Sequence, residues 1–337
     1  MTVPNEVSQR TLEVPITTVP DIPYWSENYC WTAFDPERRI SVYIHNGRWY
    51  RAPSLWHELV LICVDGGRFY VRRNIGRLRE AGVLGASCLE MRCIEPFKTW
   101  DWTYFGPVLE GTASSMTHAQ PLDNDAELLR FRLTWQAAGP VVDFGHGTEP
   151  GAASSHYEQG GTLTGTMTLS GQEVAFDGRS FRDHSRGPRH LEKTFDGHFW
   201  LHGTFPSGRT ISSLIVRRPD GELLVCDLFV LLPGGQLEKA RFDDPLALLP
   251  DNRTDYVMPF DVRATAGDRK ISIRVTPQFI YPVSLSAPTD MYLGQSSTLD
   301  AWLIFQLPVH MEWGDEEGYG HLELGLSKAA SRRYGNG

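Results

Sequence analysis

The chain has 337 residues, 41% hydrophobic and 22% charged, which suits one large domain or two ordinary ones with a sizeable buried core. Its formal net charge of −9 offers no general attraction for phosphate backbones or anionic lipid and argues against nucleic-acid and membrane-surface roles. No segment approaches the roughly 18 apolar residues that span a bilayer, and the N-terminus lacks a charged region followed by an apolar run, so a cytoplasmic location is expected.

Residues 1–24 lack a strong pattern and read as an N-terminal extension. The next stretch, "RRISVYIHNGRWYR", has period two and reads as a hairpin turning at Asn46-Gly47; "HELVLICVDGGRFYVRRN" reads as another, turning at Asp65-Gly66-Gly67. In "FKTWDWTYFG" the rings of Trp100, Trp102 and Tyr104 alternate along one strand face, either as core or as the wall of an apolar pocket. "LLRFRLTWQA" is a further strand, and "HAQPLDNDAELL" and "GHGTEPGAASS" are loops. "SSHYEQGG" places His156 and Glu158 on one face and Tyr157 on the other. It leads into "GTLTGTMTL", where threonines at 162, 164, 166 and 168 alternate with Leu163, Gly165, Met167 and Leu169.

The densest chemistry lies in "VAFDGRSFRDHSRGPRHLEK", residues 174–193. A strand here puts Arg182 and His184 on one face and Asp183 on the other, unless a bulge re-aims one of them. With a bulge, carboxylate and imidazole share a small volume and can transfer protons. The spacing equally allows Asp183 to bridge an arginine and His184 to bond a carbonyl, as a polar plug at a barrel end. Beyond it, "HFWLHG" offers the pair Trp200 and His202, and "RTISSLIVRRPDGELLVCDLFVL" turns at Pro219-Asp220-Gly221. "FDVRATAGDRKISIRVTPQF" and "LDAWLIFQL" add strands, "WGDEEGYGHLE" reads as a solvated turn, and residues 327–337 as a tail.

Short strands, hairpin turns and 32 glycines indicate an antiparallel all-β protein whose edges are hidden by closure into barrels. "YCWTAFDPERRISVYIHNGRW" and "HFWLHGTFPSGRTISSLIVRRPDG" share an order of features, which suggests two related β units, residues 25–190 and 191–326. The five cysteines are scattered, mostly in apolar runs, and read as reduced core residues. Hydrolase elbow, Walker A, dinucleotide and His-Glu-x-x-His motifs are absent from the sequence.

At "GRSFRDHSRG" the sequence resembles the Gly-x-x-x-x-Asp-His-(Asn/Ser)-Trp-Gly motif of the hydroxyneurosporene synthase (carotenoid 1,2-hydratase) family. It is more similar still to bacterial relatives with counterparts of Tyr157, Glu158, Gln159, Arg182, Asp183, His184, Ser185, Gly187 and Arg189. The resemblance implies a tandem lipocalin-like fold and cofactor-free chemistry on a hydrophobic terpenoid, steroid or polyketide-like molecule. The reaction would be hydration or dehydration, double-bond isomerisation, or cyclisation. It further implies Asp183 and His184 as the acid/base pair, Glu158 as a helper, and Arg182 or Arg189 as residues that hold the motif rigid. Arg182, Arg186, Trp100, Trp102, Tyr104, Tyr157, Trp200 and His202 are the candidate substrate contacts. Arg186 stands where the motif has Trp, and a cation beside Asp183 would lower that acid's pKa and favour a substrate carrying oxygen. No metal or redox cofactor is expected. The expected partner is a hydrophobic small molecule, with a homodimer allowed, no nucleic acid and no membrane insertion. A non-catalytic carrier of a lipophilic ligand is the competing expectation.

Overall fold

The computed structural model describes residues 12–49, 52–64, 67–112, 126–144, 155–188, 196–250, 258–287, 290–293 and 302–326. The fold is almost wholly β, two closed eight-stranded antiparallel barrels, as the tandem lipocalin-like reading expects. The chain divides into two compact units, each holding one barrel.

The first unit contains β1 (Trp25–Asp35), β2 (Ile40–Arg48), β3 (Trp56–Val64), β4 (Arg68–Gly76), β5 (Val83–Leu84), β6 (Leu89–Glu95), β7 (Thr99–Thr112), β8 (Ala126–Ala137), β9 (Val142–Asp143), β10 (Ser155–Leu169) and β11 (Gln172–Pro188). Its barrel runs β4-β3-β2-β1-β11-β10-β8-β7 and closes between β7 and β4. Strand alternation fills it: Trp100, Trp102 and Tyr104 of β7 point inward and pack with Trp31, Trp135 and Leu163, while Asp101, Thr103 and Phe105 face out. The threonine strand behaves the same way, with Leu163, Met167 and Leu169 in the core and Thr164 and Thr166 exposed. Where a large ring crosses a strand, glycine makes room: a Cβ at Gly161 would lie 2.5 Å from the Trp135 ring.

The second unit contains β12 (Gly197–Thr204), β13 (Thr210–Arg217), β14 (Leu223–Leu231), β15 (Leu237–Phe242), β16 (Phe260–Ala266), β17 (Arg269–Pro277), β18 (Tyr281–Ala287), β19 (Asp290–Leu293), β20 (Trp302–Trp313) and β21 (Glu316–Leu326). Its barrel runs β17-β16-β15-β14-β13-β12-β21-β20 and closes between β20 and β17. In both barrels the first strand pairs with the second and the last, and the last pairs with the penultimate long strand, so β1, β10 and β11 correspond to β12, β20 and β21. The sequence likeness between the two halves falls on the first hairpins, β1–β2 and β12–β13.

Two sequence readings are corrected. Asn46-Gly47 is not a turn: β2 continues through both residues, and Asn46 pairs with Tyr29 and Glu58. The turn precedes β2 instead, where Asp35 Oδ1 accepts bonds at 3.0 Å from the backbone N–H of Glu37 and of Arg38, and Arg39 adopts a φ of 53°. Asn46 is drawn inside, its Nδ2 donating to Met91 Sδ. Cys226 is exposed on β14 rather than in the core; all five cysteines are free thiols. Among the described residues no helix is long and apolar enough to cross a membrane.

Candidate functional site

The register of β11 against both neighbours is continuous: His184 lies opposite Tyr29 and Tyr157, and Asp183 opposite Cys30 and Glu158. No bulge re-aims either residue. Arg182, His184 and Arg186 therefore point into the first barrel with Tyr157 and Gln159, while Asp183 points outward with Glu158 and His156. The expected Asp183–His184 pair does not share one volume. Arg186 is likewise separated from Asp183, and its Nε donates instead to Glu27 Oε1 at 2.8 Å.

The inward side chains build a sealed polar network closed by residues 12–16. Glu13, 0% exposed, enters it between four groups. Its Oε1 accepts from Tyr157 Oη at 2.6 Å and Arg182 at 2.9 Å, and its Oε2 from Trp100 Nε1 at 2.9 Å and the Phe97 N–H at 3.2 Å. Burial pushes the Glu13 carboxyl up, but the Arg182 guanidinium and these hydrogen bonds outweigh it and hold its pKa below the ordinary value. Arg182 also donates to Gln159 Oε1 at 2.7 Å, and its guanidinium carbon lies 4.8 Å from the Trp135 ring centroid. Glu27 forms the second acidic pole, bonded by Arg186 and, at 3.1 Å, by Arg48. Burial raises its pKa, but His184 and Arg186 bring it down to about 2.

Between the two poles lies His184, stacked on Tyr29 at 3.8 Å. Its Nε2 is 3.2 Å from Glu27 Oε1 and its Nδ1 2.9 Å from Tyr157 Oη. Burial lowers the pKa of this imidazole. A neutral ring must donate through Nε2, because the carboxylate only accepts. The chain Glu27–His184–Tyr157–Glu13 then has two protons for three contacts, so it can take up one more without moving a heavy atom.

The outward cluster is more accessible. His156 Nε2 lies 3.3 Å from Asp183 Oδ2 and 3.5 Å from Glu158 Oε1, with side chains 18%, 14% and 0% exposed for His156, Asp183 and Glu158. Phe144 stacks on the imidazole at 5.2 Å. Two of the expected catalytic residues, Asp183 and Glu158, thus stay together, joined by a histidine.

Trp100, Trp102 and Tyr104 are core rings of the first barrel, and Trp100 additionally holds Glu13. Trp200 and His202 lie on the outer face of the second barrel, 5.3 Å apart edge to face. Arg189, expected to brace the motif, lies outside the described residues. Among the described residues no three His, Cys, Asp or Glu side chains are placed to hold a metal ion.

Sequence reasoning missed Glu13, Glu27, Tyr29 and Arg48. For Glu27 a signal exists, since in "WSENYCW" it falls in phase with Trp25, Tyr29 and Trp31, a carboxylate within an inward stripe of rings. For Glu13 there is none: "TLEVP" has no pattern that marks a residue bound for a barrel interior.

The model of the family described as "Domain of unknown function (DUF7064)" matches residues 13–326. No curated protein matches the chain in sequence. Among solved structures it is similar to an AttH-like protein (NE1406) of Nitrosomonas europaea, with 13% identity, TM-score 0.59, and coverage of 93% of this chain and 98% of that one. It is also similar to kievitone hydratase of Nectria haematococca, with 13% identity, TM-score 0.55 and 95% and 94% coverage. A third likeness is to CghA, with 10% identity, TM-score 0.55 and 90% and 88% coverage. What these structures share with the chain is the lipocalin-like barrel fold.

Proposed function

The chain belongs to the DUF7064 family, and we propose that it is a cofactor-independent acid/base enzyme acting on a hydrophobic small molecule. The observation that carries this reading is His156 held between Asp183 and Glu158, with the first two partly open and the third sealed. An imidazole and a carboxylate 3.3 Å apart can exchange a proton, and each can give one to, or take one from, a bound molecule. Hydration, dehydration, double-bond isomerisation and acid- or base-promoted cyclisation all use such transfers. The sealed network has a different part: His184, Arg182 and Arg186 fix β11 from inside and so position Asp183 on its other face. The names of two proteins of like fold agree with the reading, since kievitone hydratase is a hydratase by name and CghA has been crystallised with Sch210972. A terpenoid, steroid or polyketide-like substrate is the class we favour.

The test is incubation with prenyl, steroid and polyketide alkenes, enones and alcohols in heavy water, followed by mass. Turnover with deuterium incorporation is expected, falling at least about 100-fold in Asp183→Asn and in His156→Ala, as for loss of a general acid or base. Wild-type rates in both variants rule out this site. Tight binding without turnover identifies a carrier instead.

A further inference from the structure

Four hairpin turns lie at one end of the second barrel, because β12–β13, β14–β15, β16–β17 and β20–β21 are antiparallel neighbours joined directly in sequence. Two rings close the core at this end: Phe205 is buried, and Trp313, packed against the core, meets it edge to face at 5.7 Å. The turns are tight, with backbone hydrogen bonds of 3.0 Å between Phe205 and Arg209 and 2.9 Å between Leu232 and Gln236. Between these turns lies a cleft of about 350 Å³, at the small end of ligand pockets and fit for a molecule of one or two rings. Arg269 and Lys270 on its rim are exposed, so it opens to solvent.

The cleft has two kinds of wall. Leu232, Ile271 and Trp313 supply apolar surface, and Arg209, Arg269 and Lys270 supply three cations, with no acidic side chain in the lining. Each cation is steadied by an acid that does not line the cleft. Arg209 Nε lies 3.5 Å from Glu316 Oε2, Arg269 Nη2 donates to Glu238, and Lys270 Nζ lies 3.9 Å from Asp243 Oδ1.

Donors remain on all three. Arg209 gives Nη1 to the Trp313 carbonyl oxygen at 3.2 Å, and its guanidinium carbon lies 5.2 Å from that ring's centroid, which leaves Nη2 without a bond among the described residues. Arg269 bonds through Nη2 alone, and Lys270 gives one of its three N–H groups to Thr265 Oγ1 at 2.9 Å. Guanidinium forks and an ammonium beside an apolar wall suit an oxyanion carried on a ring.

We propose that this cleft is a second ligand site, one that takes a small aromatic carboxylate, its oxygens among Arg209, Arg269 and Lys270 and its ring against Leu232, Ile271 and Trp313. A neutral molecule of the same shape gains only the apolar contact, and a cation is repelled. The proposal stands on this barrel alone and holds whether or not Asp183 and His156 turn over a substrate.

The probes are 2-naphthoate and 2-naphthalenemethanol, which share a ring system and differ in charge, titrated calorimetrically into the full chain at low ionic strength. Wild type should bind the naphthoate at least about fivefold more tightly, as three partly exposed ion pairs allow. The double variant Arg269→Gln with Lys270→Gln, which changes only exposed side chains, should remove most of that preference. The Trp313 indole N–H resonance, identified by its absence in Trp313→Phe, should shift with naphthoate. Equal affinities in wild type, a preference that survives the double variant, or an unmoved Trp313 resonance overturns the proposal. So does loss of the preference in Asp183→Asn instead, which would place the probe on the first barrel.

Discussion

With none of its surface exposed, Arg182 keeps its charge because Glu13 and Gln159 bond it at 2.9 and 2.7 Å and the Trp135 ring lies 4.8 Å from its guanidinium carbon. Removing the acid leaves that charge uncompensated in an apolar interior, which costs far more than the pair contributes. Glu13→Ala is therefore expected to lose about 3–5 kcal/mol of stability in urea denaturation. The double variant Glu13→Leu with Arg182→Met should recover most of it, since neither buried charge remains. A Glu13→Ala protein as stable as wild type would mean that residues 12–16 are not seated in the barrel. His184 belongs to the same network, so His184→Ala is a structural change before it is a chemical one.

At the level of the strand, alternation decides which residues can cooperate. β11 is pinned along its length by β1 and β10, and a one-residue slip would turn both Arg182 and Asp183 to the wrong face. Asp183 thus works with Glu158 and His156, not with the histidine next to it in sequence. The close approach of β10 to the Trp135 ring rests on Gly161, whose added Cβ would also lie 2.5 Å from the Gln136 carbonyl oxygen. Gly161→Ala should cost about 1–3 kcal/mol through overpacking, read as a lowered melting temperature. An unchanged melting temperature would show that the ring has space to retreat.

Across the whole molecule, each barrel buries imidazoles whose pKa burial has lowered: His57 and His184 in the first, His202 and His321 in the second. Their folded values lie below the unfolded value near 6.5, so in acid the unfolded chain binds more protons. The stability they contribute is complete above about pH 6.5 and is lost as pH falls toward the folded values. Each such imidazole gives a slope of up to about 1.4 kcal/mol per pH unit in that window. Glu27, held at about 2, adds a further loss below the ordinary carboxylate range. Urea midpoints should therefore fall steeply between pH 6.5 and 4.5, before most carboxylates titrate. A flat profile there would show that these rings are charged in the folded protein.

Much of this was legible in the sequence. Period-two patterns in "GTLTGTMTL" and "FKTWDWTYFG" set strand and face, because alternation is a property of the extended backbone and needs no partner. The turn glycines at Gly67 and Gly221, with φ of 76° and 93°, were equally local. The same local rule already put Asp183 and His184 on opposite faces; whether a bulge would reunite them depended on register, which two neighbouring strands impose. Tertiary structure alone decided that Glu13, 169 residues from Arg182, is its counter-ion, and that His156 joins Asp183 to Glu158. The first pairing depends on residues 12–16 folding into the barrel interior, and the second on the β10–β11 register that sets Asp183 opposite Glu158, which the pattern within either strand does not state.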